Sequence, residues 1–385
     1  MSEAAKETFS PSASPPPLRA RPRRLAPTAP DGAVAARHRT TALARTHPSG
    51  DRPVTADAAT DAATDADAAT DRTRTALRAQ LDGLTTEAFR PELAEIDRRT
   101  TLEIARTMNE GDAAVPAAVA AQLPRIAAAI DAIAARMARG GRLVYAGAGT
   151  AGRIGVLDAS ECPPTFNTDP RQVVGLIAGG PSAVLRSVEG AEDSAELAAA
   201  DLTALALTRD DTVVGISASG RTPYAVGAVE FARARGALTV GLSCNAGSAL
   251  AAAAEHGIEV VVGPELLTGS TRLKAGTAQK LVLNLISTIT MIRLGKTYGN
   301  LMVDLRASNA KLRARSRRIV ALATGAGDEE VEAALTATGG EVKAAILVIL
   351  GGVDGPAAAG LLSAARGHLR VALAEAAATA PGTAR

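Results

Sequence analysis

Two loops rich in glycine and hydroxyl side chains, and a handful of glutamates near them, are the parts of this sequence best suited to chemistry. Gly147, Gly149 and Gly152 spell G-x-G-x-x-G between an apolar run and a helical stretch, with Thr150 inside the loop. Further along, Ser217, Ser219, Gly220 and Thr222 follow another apolar run where a helix should start. Backbone N–H groups at a helix N-terminus, joined by hydroxyls, hold an anion without a metal. A phosphate monoester fits both loops. The plainer account of any one Ser or Thr is helix capping, and two such loops at one end of a sheet weigh against capping alone.

The carboxylates supply the reactive half. Glu161 stands before Cys162, Pro163 and Pro164, after the first loop and its helix, where the prolines would fix the backbone and keep water away. Such surroundings raise a carboxyl pKa and make it a usable acid or base. Glu192 lies in VEGAEDS, where sequence alone does not separate it from Glu189 or Asp193, and an exposed charge on a first helical turn is its plainer reading. In GSTRLKAG, Ser270, Thr271, Arg272 and Lys274 are placed to bind a phosphate or carboxylate, although an N-cap with flanking charge explains them equally well.

Other chemistries fit less well. A dinucleotide site wants an acidic residue about 20 positions beyond the glycine loop, at the end of the second strand. That strand ends in GLIAGGPSA, which offers none. Cys162 lacks a base: His38, His47 and His368 lie in the tail or the terminal helices, leaving only His256 near the sheet. Cys162 reads as packing. No His/Cys/Asp cluster has ligand spacing, so neither metal nor cofactor is expected.

The elements that must position these residues follow a clear pattern. Apolar runs RLVYAGAG, VVGLIAGG, TVVGISASG, LTVGLSCNAG and IEVVVGPE alternate with helical stretches, which predicts an α/β fold with a doubly wound parallel sheet covered on both faces. Ligands of such sheets sit outside the carboxyl ends of the strands. Ahead of the sheet, Leu93, Ile96, Ile104 and Met108 share helical spacing, as do Leu123, Ile126, Ile130, Ile133 and Met137. After TYGN the chain reads as helical again, with glycines at the breaks, and as a small bundle.

Composition sets the outer bounds. The chain has 385 residues, 47% of them apolar, and a net charge of +2, which argues for neither nucleic acid nor a membrane surface as partner. Residues 1–78 are first rich in Pro and Arg, then in Ala, Asp and Thr, and can form no core. Within 10–46 seven arginines stand against one acid, Asp31, without an aromatic for base stacking. A helix-turn-helix module with a basic recognition helix is not found there. The divisions expected are an extension at 1–78, helices at 79–132, the sheet domain at 133–297 and terminal helices at 298–385. Two cysteines give no disulfide framework, no signal segment is read, and 281–292 is too short to span a bilayer, so a cytoplasmic location is expected.

The arrangement resembles the sugar isomerase (SIS) domain of sugar-phosphate binding proteins. DASECPPTF, GLIAGG, VEGAEDS, SASGRTPY, TGSTRLKAGTAQKLVLN and GNLMVDL, in this order, resemble the signature stretches of the N-acetylmuramic acid 6-phosphate etherases, from about residue 81 to about 352. The resemblance implies a five-stranded sheet and a lyase that cleaves the lactyl ether, giving N-acetylglucosamine 6-phosphate and D-lactate. It implies that Glu161 protonates the leaving group and that Glu192 is its partner. A sugar-phosphate isomerase would use the same fold, and a non-catalytic sensor is the other alternative, since relatives bind sugar phosphates to regulate a kinase; the two glutamates favour the lyase. The resemblance further implies a homodimer with sites near the subunit boundary, for which the apolar stretch 281–292 also argues. GGEVKAAILVIL resembles a ubiquitin-associated helical unit, expected to complete a neighbour's site.

Overall fold

The computed structural model describes Arg78, residues 81–305 and residues 310–379. The extension expected at 1–78 thus lies, Arg78 aside, outside the described residues, as do residues 380–385.

A capping box starts the first helix. The Glu103 carboxylate accepts from the Thr100 N–H at 2.8 Å while the Thr100 hydroxyl accepts from the Glu103 N–H at 3.4 Å, so α1 runs Thr101–Asp112. Leu93 and Ile96, expected on its face, lie instead in short 3-10 turns, Pro91–Leu93 and Ile96–Arg98. Next come α2 (Val115–Ala120) and α3 (Leu123–Met137), each with a proline in its first turn. α3 buries Ile126, Ile130, Ile133 and Met137, whereas Leu123 at its open end is 45% exposed. It continues unbroken past residue 132.

The sheet domain then unfolds in order: β1 (Leu143–Gly147), α4 (Gly149–Phe166), β2 (Val173–Ile177), α5 (Ala195–Ala204), β3 (Thr212–Ile216), α6 (Pro223–Ala234), β4 (Leu238–Ser243), α7 (Ala249–Ala253), β5 (His256–Glu259) and α8 (Lys274–Arg293). All five strands are parallel, in the order β2-β1-β3-β4-β5. β1, β3 and β4 are buried along their whole length, as strands covered on both faces must be. The last strand is shorter and earlier than IEVVVGPE suggests. β4 ends at Ser243, whose carbonyl takes the Val260 N–H at 2.9 Å, and no strand remains for the following valines to pair with.

One face of the sheet packs on α2, α3, α4 and α8 through residues such as Val115, Ile133, Cys162 and Ile286; the other packs on α5 and α6 through Leu202, Tyr224 and Ala228. Within the apolar stretch 281–292 of α8, Val282, Leu283, Ile286 and Met291 are fully buried, Leu281, Leu285 and Ile289 are partly buried, and Thr288 and Ile292 are exposed. Chain order reverses between β1 and β3, and at that switch point the loops after both strands open onto one crevice.

The chain does not become helical directly after α8. A two-stranded antiparallel hairpin, β6 (Thr297–Tyr298) and β7 (Leu301–Met302), turns at Gly299 and Asn300 first. Two-residue strands carry no periodicity, so the sequence pattern missed them. The terminal bundle follows with α9 (Ala310–Thr324), α10 (Asp328–Ala337), α11 (Val342–Gly351), α12 (Gly355–Ala364) and α13 (Leu369–Thr379) around Val320, Ala345, Ile346 and Ala358. Asp304 ties hairpin to bundle, with Lys296 Nζ at 2.8 Å and Lys343 Nζ at 3.0 Å. Among the described residues no single helix is long and apolar enough to cross a membrane.

Candidate active site

The crevice at the switch point is a cavity of about 580 Å³, and both predicted anion loops line it. Its first wall is the start of α4, with Gly149 and Thr150. Gly149 has φ +53°, which brings the chain off β1 in a left-handed turn and sends α4 away with its N-terminus facing the cavity. A side chain at Gly152 would put its Cβ 2.6 Å from the Gly147 carbonyl oxygen, so the G-x-G-x-x-G glycines serve close helix–strand packing here.

The second wall is the start of α6. Ser217 Oγ lies 2.7 Å from Thr222 Oγ1 and 3.2 Å from Ser219 Oγ, and it accepts the Gly220 N–H at 3.0 Å. Gly220 has φ +69°, and a Cβ there would meet Ser248 Cβ at 2.4 Å. The three hydroxyls thus form a pre-set cluster beside a helix N-terminus, the arrangement that takes an anion. Ser217, Ser219 and Thr222 line the cavity; Gly220 is buried beneath it and shapes the loop.

Glu192 lies on this cavity, exposed, in the 3-10 turn Ala191–Asp193. Asp193 also lines it and Glu189 does not, which narrows the three acids of VEGAEDS to two. Thr271 of the GSTRLKAG stretch reaches the wall, while Ser270 and Lys274 stand outside it. Lys274 is only 8% exposed: its Nζ donates to the Val262 carbonyl at 2.8 Å, and burial holds its pKa below the usual lysine range. Glu265, fully buried, accepts the Lys274 and Ala275 N–H groups at 3.0 and 2.9 Å and so caps α8.

Glu161 is elsewhere. It lies within α4, not beyond it, because α4 runs on through Pro163 and Pro164 to Phe166. Twelve residues separate it from Gly149, about 18 Å along a helix axis. It lines a second cavity of about 460 Å³ between α4, α8 and the β6–β7 turn, with Asp158, Cys162, Ser287 and Asn300. In the single chain Glu161 is exposed, so the prolines do not shield it from water as expected. Beneath it, Asp158 accepts the Tyr145 hydroxyl at 2.7 Å and the Ser287 hydroxyl at 3.1 Å, and burial raises its pKa. Cys162 is buried, and desolvation first, then the charges of Asp158 and Glu161, pushes its thiol up to about 12.

Several lining residues escaped the sequence reading. Arg221, exposed, puts a cation at the mouth of the first cavity, and only its place between Gly220 and Thr222 hinted at it. Leu81, Leu84 and Glu87 close one side, from a segment no motif marked. Asn245 holds that segment: its Oδ1 accepts the Thr85 N–H at 2.8 Å, while its Nδ2 donates to Thr86 Oγ1 and to the Ala218 carbonyl at 3.0 and 2.9 Å. Gln279 of α8 forms part of the wall as well. Among the described residues no group of three or more His, Cys, Asp or Glu could hold a metal ion.

Comparison with known proteins fits this geometry. Residues 125–233 match the glucokinase regulatory protein N-terminal SIS domain, and residues 188–289 match the SIS domain. The N-acetylmuramic acid 6-phosphate etherase of Streptomyces avermitilis is 82% identical over 300 residues, 78% of this chain and 96% of that protein. Its counterpart from Streptomyces coelicolor is 80% identical over the same shares. Among solved structures, a phosphoheptose isomerase from Francisella tularensis is 21% identical, covers 50% of this chain and 100% of its own, and has a TM-score of 0.39. On the strength of the two etherases, this chain belongs to the N-acetylmuramic acid 6-phosphate etherase family.

Proposed function

We propose that this chain cleaves the D-lactyl ether of N-acetylmuramic acid 6-phosphate, giving N-acetylglucosamine 6-phosphate and D-lactate, as part of amino-sugar catabolism. The observation that carries the reading is 82% identity to a named etherase across nearly the whole of that protein. The first cavity supports it, because two helix N-termini with a hydroxyl cluster suit a phosphate and a carboxylate stands beside them.

An ether resists direct hydrolysis, so the route is elimination followed by hydration. The sugar ring opens, a base removes the carbon-2 proton beside the aldehyde, and the carbon-3 to oxygen bond breaks while an acid protonates the departing lactate oxygen. Water then adds to the carbon–carbon double bond, its hydroxyl going to carbon 3 and a proton returning to carbon 2. In this assignment Glu161 protonates the leaving group, and Glu192 is the partner that handles the carbon-bound proton. Gly149, Thr150, Ser217, Ser219, Thr222 and Thr271 hold the substrate, with Gly220 shaping the second loop, and neither cofactor nor metal takes part.

The two glutamates line different cavities of one chain. One substrate can meet both if a second copy brings its Glu161 to the first cavity, so we read the enzyme as a homodimer with composite sites. We place it in the cytoplasm, where a phosphorylated sugar is held.

The test is incubation of purified protein with N-acetylmuramic acid 6-phosphate, following D-lactate. Lactate from the wild type is expected, with release cut by at least about 100-fold in Glu161→Gln and in Glu192→Gln while both still bind the product sugar phosphate. Tight binding without lactate from the wild type would instead favour a sensor.

A further inference from the structure

Gln279 sits on the inner face of α8 among Ala275, Ala278, Val282 and Leu283, each fully buried. It is itself only 1% exposed, and among the described residues its Nε2 has no hydrogen-bond partner. An amide donor left unpaired in such company costs stability, and an apolar side chain of similar size would pack there without that cost. The place of this orphan is informative, because Gln279 forms part of the wall of the switch-point cavity, together with Gly149, Thr150, Ser217 and Thr271. Gly276, one turn earlier on the same face, comes so close to α4 that an added Cβ would lie 3.4 Å from Thr150 Cγ2. α8 therefore delivers Gln279 next to the start of α4, where the anion is to be held.

We infer that Gln279 is a substrate-binding residue whose Nε2 donates a hydrogen bond to an oxygen of the bound sugar phosphate, a role resting on the reading of this cavity given above. The terminal torsion of a glutamine is soft, so a small rotation turns the amide towards the cavity without moving α8. A neutral donor suits this wall. Glu192, Asp193 and Glu87 already bring carboxylates to the cavity, and a buried cation between them and the phosphate would pair with the acids first. The donor that has no partner among the described residues thus gains one in the complex.

The measurement is calorimetric titration of the wild type, Gln279→Leu and Gln279→Glu with N-acetylglucosamine 6-phosphate, alongside melting curves with and without that ligand. Loss of one neutral donor is expected to weaken binding about tenfold in Gln279→Leu. The carboxylate of Gln279→Glu, facing a phosphate, should weaken it further, and more so at low salt. Without ligand Gln279→Leu should melt no lower than the wild type, which a merely structural glutamine does not allow. Both variants binding as tightly as the wild type, or both melting lower without ligand at an unchanged Kd, overturns the inference. Because wild-type binding and wild-type lactate release are read separately, failure of the etherase reading is told apart from failure of the Gln279 role. A wild type that does not bind the probe at all sinks the sugar-phosphate reading of the cavity, and the inference with it.

Discussion

Cys162 stands next to the proposed acid, yet its surroundings make the thiol inert. Burial is the main cause, the neighbouring charges of Asp158 and Glu161 add to it, and the result is a pKa pushed up to about 12. Cys244 is pushed to about 12 as well, by burial and then by Glu265. At pH 8 less than about one thiol in a thousand is then thiolate, the only form that attacks a disulfide reagent. The native protein should release almost no chromophore from dithionitrobenzoate at pH 8, and two equivalents once unfolded in guanidinium; fast reaction of the native form would mean that Cys162 is open and ionised. The packing role of Cys162 was legible in the sequence because no histidine was near enough to serve as its base. The role of Lys274 was not. What removes it from the cavity is the Val262 carbonyl, supplied by a loop twelve residues away whose course no local pattern gives. Glu161 lay between these cases: its type and neighbours were readable, but it was expected after the helix and lies inside it, since the helix runs on through both prolines.

At the scale of elements, the cavity depends on β1 and β3 ending level, since each delivers one anion loop. Their register is set at the opposite end of the strands by Asp211, which is 1% exposed. Its carboxylate accepts the Arg142 N–H at 2.8 Å, Arg142 Nη2 at 2.7 Å and the Thr208 N–H at 2.7 Å. Burial raises the Asp211 pKa, but the hydrogen bonds from Arg142 and Thr208 outweigh it and leave the group below the usual carboxylate range. A depressed folded-state pKa gives stability that is present above about pH 4 and lost as pH falls through the folded value. Asp211→Asn should therefore cost about 2–3 kcal/mol at pH 7, a little under the usual cost of breaking a buried pair because Arg142 is partly solvated. Urea unfolding at pH 7 and at about pH 3.5 checks this: the gap between variant and wild type should narrow at the lower pH. A gap independent of pH would assign the loss to packing instead. Alternation of apolar runs with helices made the sheet legible, because strands covered on both faces read as unbroken apolar stretches. The β6–β7 hairpin was not, since it is too short for periodicity.

The whole molecule poses the question that neither residues nor elements answer alone, namely how the two glutamates proposed as acid and base would meet one substrate. α4 starts on the cavity that Glu192 lines and carries Glu161 about 18 Å further along its axis, towards a different cavity. A composite site built by two copies makes a prediction that a single-chain site does not. In a heterodimer of Glu161→Gln with Glu192→Gln, one site receives both substitutions and the other receives neither, because each site draws its two glutamates from different chains. Random pairing makes half of the dimers mixed, so co-expression of the two inactive variants should restore about a quarter of wild-type lactate release. If both glutamates of a site came from one chain, every site would carry one substitution and no activity would return. Recovery should also disappear when the variants are purified apart and assayed at once on mixing, before subunits have exchanged. Dimerisation would then be a requirement of the proposed chemistry, since the distance built into α4 separates in one chain the two glutamates that the proposed elimination has to bring together.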